Sequence, residues 1–372
     1  MAPRRSARDL ALATLRRIDE EGAYANLVLG HELERSRLDQ RDRAFATELV
    51  YGVTRLRRRL DFVVDRFLLR PVDPPVRAAL RLGAYQLHEL GTTPHAAVSA
   101  TVSAVPDRRV RGLVNAVLRR VAEAPVPGDG WPDDAVRLSY PDWIVDRLVA
   151  DLGRADALGA LEAMNQPATV TERDDRYIQD QASQWVAELV EAEPGERVGD
   201  LCAAPGGKAT AVAGTGAWVI AADVRPSRVQ LVQGNAARLH AAVALVTADG
   251  TTPPLRTRSL DRVLVDAPCT GLGTLRRRPD ARWRIQPDAV DRLADLQRRL
   301  LRAATDLVRP GGVLVYSVCT MTRAETVDVA ADVALEPLEQ PGDAWRPLGH
   351  GSLLLPQDAD TDGMALFRWR VA

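Results

Sequence analysis

No stretch of the 372 residues strings together enough apolar side chains for a membrane-crossing helix, which needs roughly 18 to 20. The opening MAPRRSARDL also lacks the apolar core of a secretory leader. A cytoplasmic chain is expected. Cysteine is scarce: Cys202, Cys269 and Cys319 are the only three, too few and too widely spaced for a disulfide framework or for paired CxxC ligands. The five histidines show neither HxxxH nor HExxH spacing, so no metal site is predicted. Lysine is nearly missing. Of 49 basic residues only Lys208 is a lysine, and its retention among arginines calls for a local reason.

The length suits two or three domains rather than one. Net charge is −1, but up to Ala124 there are 22 arginines against 15 acidic residues, which leaves the rest of the chain acidic. A basic front half suits a polyanionic partner. Arginines paired along solvated helix faces are the alternative.

From Ser6 to about Glu123 the apolar residues recur at helical spacing, as in Leu10, Ala13, Leu15 and Ile18. Five to seven helices are predicted, with breaks at Gly22, Pro71 to Pro75, Gly91 to Pro94 and Pro106. Pro125 to Pro132 has the composition of a linker. A further helical piece is expected from Asp142 to Met164, then an irregular polar stretch from Asn165 to Arg176.

After Tyr177 the pattern changes. Short apolar runs at Arg197 to Leu201, Ala217 to Ala222, Ala244 to Thr247, Asp261 to Val265 and Gly312 to Ser317 alternate with helical segments. That alternation predicts a mostly parallel, doubly wound sheet with ligands at the carboxyl ends of its strands.

Those carboxyl ends carry the chemistry. The first run enters Asp200-Leu-Cys-Ala-Ala-Pro-Gly-Gly-Lys208. Its glycines permit close backbone approach, and the following helix start offers free N–H groups, an arrangement suited to the carboxylate end of S-adenosylmethionine. A tight strand-to-helix turn alone would look similar. The second run ends at Asp223, placed to accept from ribose hydroxyls, and the third at Asp249, where an adenine amino group could donate. A nicotinamide cofactor is the rival, but the loop is not GxGxxG.

The fourth run ends in Asp266-Ala-Pro-Cys269-Thr-Gly271 and the fifth in Tyr316-Ser-Val-Cys319-Thr320, with Glu325 soon after. Small buried hydrophobes are the bland reading of such cysteines. Two of them at adjacent strand ends suit a pyrimidine reaction instead. Methylating C5 of cytosine needs a thiolate that adds to C6, turns the ring into an enamine and later leaves; sulfur serves as both nucleophile and leaving group. Asp266 is placed to hydrogen-bond N3. Arg276, Arg277 and Arg278 follow and are candidates for meeting phosphates.

DLCAAPGGK, DAPCTGLGTLRRRPDARW and YSVCT together resemble the signature set of the Sun-type RNA cytosine-5 methyltransferases. The resemblance implies a Rossmann-like class I methyltransferase domain with a seven-stranded sheet. It casts Cys319 as nucleophile and Cys269 as the residue of product release. Cofactor contacts carry over to Cys202, Ala203, Ala204, Pro205, Gly206, Gly207, Lys208, Asp223, Asp249 and Asp266, which supplies the local reason for Lys208. In the front half RDRAFATELVYGVTRLRRRLD, LRLGAYQLHEL and LVNAVLRR are similar to the NusB-type all-α helical RNA-binding domain. The fusion implies domains over 1–125, 126–176 (linker and connector) and 177–372, with 16S rRNA as the RNA partner and a monomer favoured. The resemblance extends to the ending Leu355 to Met364.

Thr270 and Thr320 stand where the family usually has serine, and Gly199 replaces an aliphatic. Only about ten residues separate Pro167 from Tyr177, where the family carries a small RNA-contacting subdomain. Three alternatives stay open: an antitermination-type RNA-binding factor with a vestigial catalytic fold, methylation of tRNA, and a DNA cytosine-5 methyltransferase. The last normally uses the DAPC cysteine alone, so the second cysteine favours RNA.

Overall fold

The computed structural model describes residues 5–125, 127–342 and 344–372; the first four residues and Val126 of the predicted linker lie outside them. Two compact units result. One runs to Val145 and takes in Arg278–Arg284; the other comprises Asp146–Arg277 and Ile285–Ala372.

In the first unit the helices are α1 (Ala7–Glu21), α2 (Ala25–Glu34), α3 (Gln40–Arg55), α4 (Arg57–Asp65), α5 (Pro74–His88), α6 (Pro94–Ala104), α7 (Arg111–Glu123) and α8 (Asp134–Leu138). Local chemistry sets several ends. Ser6 and Asp9 form a reciprocal capping box at the start of α1, and Gly22 closes it with φ +63°. Proline opens α5 and α6, where a missing N–H costs nothing. The α3/α4 break at Leu56 has neither glycine nor proline to announce it. α5 packs against α1, α3, α4, α6 and α7 and is buried from Ala78 through Gln86. That burial requires Arg81 to be paired, and it meets Asp61 at 2.7 Å and Asp19 at 2.8 Å. A Cβ at Gly52 would lie 2.1 Å from the Tyr85 ring, so this glycine admits the close α3–α5 approach.

Arg278–Arg284 belongs to this unit through buried contacts that sequence reading did not foresee. Arg282 is fully buried, bonds the carbonyls of Arg55 and Ser139 at 3.2 Å, and lies 3.9 Å from the Tyr140 ring centroid. Trp283 donates its indole N–H to Thr54 O at 2.7 Å.

The single helical piece predicted from Asp142 to Met164 is two helices, α9 (Asp142–Leu152) and α10 (Arg154–Ala163), separated by Gly153 with φ +81°. In the second unit, after α11 (Gln181–Glu188), come β1 (Arg197–Asp200), α12 (Gly207–Ala213), β2 (Trp218–Asp223), α13 (Pro226–Arg238), β3 (Val243–Thr247), β4 (Leu260–Asp266), α14 (Ala289–Leu307) and β5 (Val308–Val318). The chain then runs through α15 (Val327–Ala330), β6 (Glu336–Pro337), β7 (Arg346–Leu348), β8 (Gly351–Leu354), α16 (Pro356–Ala359) and β9 (Met364–Arg370). The strand order is β3-β2-β1-β4-β5-β9-β8-β7, with β6 also on β9. β1 to β5 are parallel, and β9, β8, β7 and β6 add antiparallel.

Among the described residues the sheet therefore has nine strands rather than the seven expected, the extra ones being the two-residue β6 and three-residue β7. Order reverses between β1 and β4, which places the ligand crevice beyond their carboxyl ends. The departure at Gly199 has a packing reason: a Cβ there would come 2.7 Å from Leu260 Cδ1. Among the described residues no helix is long and apolar enough to cross a membrane.

Candidate active site

Parallel register sets the site. β4 and β5 align Asp266 with Ser317, and each strand runs on into a cysteine, Cys269 and Cys319. The two thiols are free and their sulfurs stand 3.3 Å apart. Asp266 Oδ2 accepts from Lys208 Nζ at 2.7 Å, and its Oδ1 accepts from the Ser317 hydroxyl at 2.8 Å. Lys208 is the second residue of α12 and is nearly buried, with 10% of its side chain exposed. Burial alone would lower its pKa, but the charge and hydrogen bond of Asp266 raise it, so the lone lysine is a cation. The Cys269 thiol is held well above its ordinary range by its hydrogen bond to Cys319, by burial, and by the charges of Cys319 and Glu325.

The loop after β1 folds on itself: Ala203 N donates to Ala222 O at 2.9 Å and Gly206 N to Ala203 O at 2.7 Å. Ala204–Pro205 is cis, and Gly206 takes φ +107°. A Cβ on Gly207 would lie 3.0 Å from both Tyr177 and Gln179, so that position admits no side chain without displacement. Asp223 accepts from Arg225 N and from Arg228 Nε at 3.0 Å, and Arg228 also bonds Ala204 O at 2.8 Å, which ties the end of β2 to the loop. Asp249 is exposed, and its carboxylate accepts within its own turn from Thr251 N and Oγ1 at 2.8 Å. These bonds hold its carboxyl below the ordinary range.

Sequence reading passed over Asp200. It is buried at the end of β1; Oδ1 accepts from Cys202 N at 3.2 Å, while Oδ2 has no hydrogen-bond partner among the described residues. Burial, reinforced by the Asp266 carboxylate, pushes it up to about 7. A folded value above the unfolded ~3.9 means that its contribution to stability is whole near pH 4 and fades as pH rises through the folded value. Asp200→Asn is therefore expected to raise thermal stability at pH 8, by about 2–4 kcal/mol, and to change it little at pH 4. Melting curves across that range check this, and equal gains at both ends would contradict it.

Two expectations need correction. Arg276 and Arg277 do not face outward for phosphates. Arg276 is buried against Thr361 O, Pro167 O and Asp360, and Arg277 pairs with Asp180 at 2.6 Å and Asp362 at 3.1 Å. Their partners come from the irregular stretch after α10 and from the chain's ending, so these arginines hold the cysteine loop in place. Arg278 alone of the three is exposed.

Residues 187–366 match the family described as 16S rRNA methyltransferase RsmB/F, and residues 5–123 match the NusB family. The chain is 40% identical over 350 residues to ribosomal RNA small subunit methyltransferase B of Thermus thermophilus, covering 86% of this chain and 84% of that one. It is 28% identical over 415 residues to the protein of the same name from Yersinia pestis, covering 96% of each. The crystal structure of PH0851 superposes with a TM-score of 0.78 over 98% of both chains at 21% identity, which shows the shared fold. With its relatives matching nearly end to end, the chain belongs to the RsmB/F family of S-adenosylmethionine-dependent rRNA methyltransferases and carries a NusB-family domain ahead of its methyltransferase domain.

Proposed function

We propose that the protein methylates C5 of a cytosine in 16S rRNA through a covalent adduct on Cys319. The observation that carries this is the contact of two free thiols at adjacent strand ends, 3.3 Å apart, beside the Lys208–Asp266–Ser317 chain of hydrogen bonds. The names of the relatives support ribosomal RNA as substrate. Such a substrate places the enzyme in the cytoplasm. In this reading residues 1–125 grip RNA, 126–176 connect, and 177–372 catalyse.

The Cys319 thiolate adds to C6, which breaks the ring's aromaticity and makes C5 nucleophilic. S-adenosylmethionine, when bound, supplies the electrophilic methyl. Asp266, held by Lys208 and Ser317, faces N3 of the base, where a proton taken up from solvent and shared between the carboxylate and N3 favours addition. Loss of the C5 proton to a water molecule acting as base then lets the C5–H electron pair re-form the ring double bond and expel the Cys319 thiolate from C6, with Cys269 serving product release. The target base has to leave its stack to reach this pocket.

The loop Cys202 to Lys208 fits the cofactor. Beside it Asp200 Oδ2 is a buried oxygen with no hydrogen-bond partner among the described residues. Asp223 would take the ribose hydroxyls and Asp249 the adenine. Asp223→Ala should raise KM for S-adenosylmethionine by about 10- to 100-fold with kcat little changed; steady-state kinetics decide, and an unchanged KM would remove Asp223 from the site. The reading as a whole is tested by mapping 5-methylcytosine in 16S rRNA from cells with and without the gene. One cytosine should lose its methyl group; no change at any cytosine would overturn the assignment.

A further inference from the structure

Glu325, on the 3-10 turn that follows β5, is completely buried and its carboxylate is surrounded by neutral donors. Oε1 accepts from Thr270 N at 2.8 Å and Gln297 Nε2 at 3.2 Å. Oε2 accepts from three hydroxyls, those of Thr270 at 2.6 Å, Thr322 at 2.9 Å and Thr320 at 3.2 Å. A buried acid is costly unless its oxygens are satisfied, and five donors supply that.

The position of those donors matters more than their number. Thr270 follows Cys269 and Thr320 follows Cys319, and the two hydroxyls also touch each other at 3.0 Å. Gln297 of α14, besides reaching Glu325, donates to Pro268 O at 2.9 Å, on the other side of Cys269. Tyr316, three residues before Cys319, lies with its hydroxyl 2.7 Å from Glu325 O. One carboxylate thus grips the residues flanking both cysteines. The threonines that replace the usual serines suit this: a β-branched side chain is stiff at χ1, so its hydroxyl stays aimed at the acid.

We propose that Glu325 is the positioning residue of the cysteine pair, its carboxylate clamping the loop after β4 to the loop after β5 so that the two sulfurs stay in contact. Its consequence for catalysis rests on the two-cysteine reading above; its consequence for the thiols does not.

Phenylarsine oxide separates the two, because its arsenic bonds two neighbouring thiols with release of water. The intact enzyme should take up one reagent, bridging Cys269 and Cys319 in a peptide map. Glu325→Gln keeps an acceptor oxygen for the two N–H donors and turns its amide toward hydroxyls that can rotate to accept. It should bridge at the wild-type rate and keep kcat within about tenfold. Glu325→Asp, one methylene shorter, cannot reach both loops and should bridge at least about tenfold more slowly, with kcat down about 100-fold and KM for S-adenosylmethionine unchanged. Glu325→Ala should behave like Glu325→Asp or worse.

Equal bridging by wild type and Glu325→Asp would overturn the proposal, and so would a Gln variant as impaired as the Asp variant, which would assign the effect to charge. If bridging follows the prediction while no variant, wild type included, methylates cytosine, the clamp stands and the proposed reaction falls.

Discussion

Cys319→Ala is expected to lose methylation by on the order of 10⁴-fold or more and to form no covalent complex with RNA. Cys269→Ala should lose turnover too, yet accumulate the protein–RNA adduct. The asymmetry follows from the surroundings of two sulfurs that are nearly in contact. On one side Cys269 faces the buried Glu325 carboxylate, and its raised pKa keeps it a thiol at neutral pH. Cys319 is electrostatically linked to the Lys208 cation instead. The thiolate is the reactive form, so Cys269 held as a thiol is a poor nucleophile. Denaturing gels on RNA substrate, run for both variants, read the result. Equal adduct formation by the two would reverse or abolish the assignment.

Asp266→Asn should lower kcat by about 10²- to 10³-fold, near the range expected for losing one positioned acid–base group. The carboxylate has two neighbours, Lys208 at 2.7 Å and Ser317 at 2.8 Å, and each fixes one oxygen. An amide in its place still serves one of them but removes the charge that Lys208 needs. Breaking a fully buried pair costs about 3–5 kcal/mol, and with 30% of the Asp266 side chain exposed the loss here should be smaller, on the order of 1–3 kcal/mol, so a modest fall in melting temperature should accompany the fall in rate. Ser317→Ala, which leaves the ion pair intact, should do much less. If Asp266→Asn kept both rate and stability, the lysine and aspartate would be bystanders.

How much of this could be read from sequence depended on how local each cause is. The five parallel strands were legible because each is an apolar run ended by a polar, glycine-containing or cysteine-containing turn, and the catalytic groups sit on those turns. The antiparallel end was not: β6 and β7 are two and three residues long and exist through backbone pairing with distant strands. Leu56 divides α3 from α4 without a breaking residue, so the run from Arg41 to Asp61 reads as continuous. Arg276 and Arg277 looked like phosphate ligands because an arginine's partners are invisible in sequence when they lie 85 or more residues away, at Asp362, Thr361 and Pro167. In sequence Glu325 is no more than a near neighbour of Cys319. Its importance came from Thr270 and Gln297, 55 and 28 residues distant, converging on one buried carboxylate.

The most direct test of the central claim is to trap the enzyme on RNA containing 5-fluorocytosine, whose fluorine cannot leave as a proton does, and to identify the linked residue by peptide mass spectrometry. The nucleotide should be found on the peptide containing Cys319. Attachment through Cys269, or no attachment by an enzyme that still methylates unmodified RNA, would contradict it.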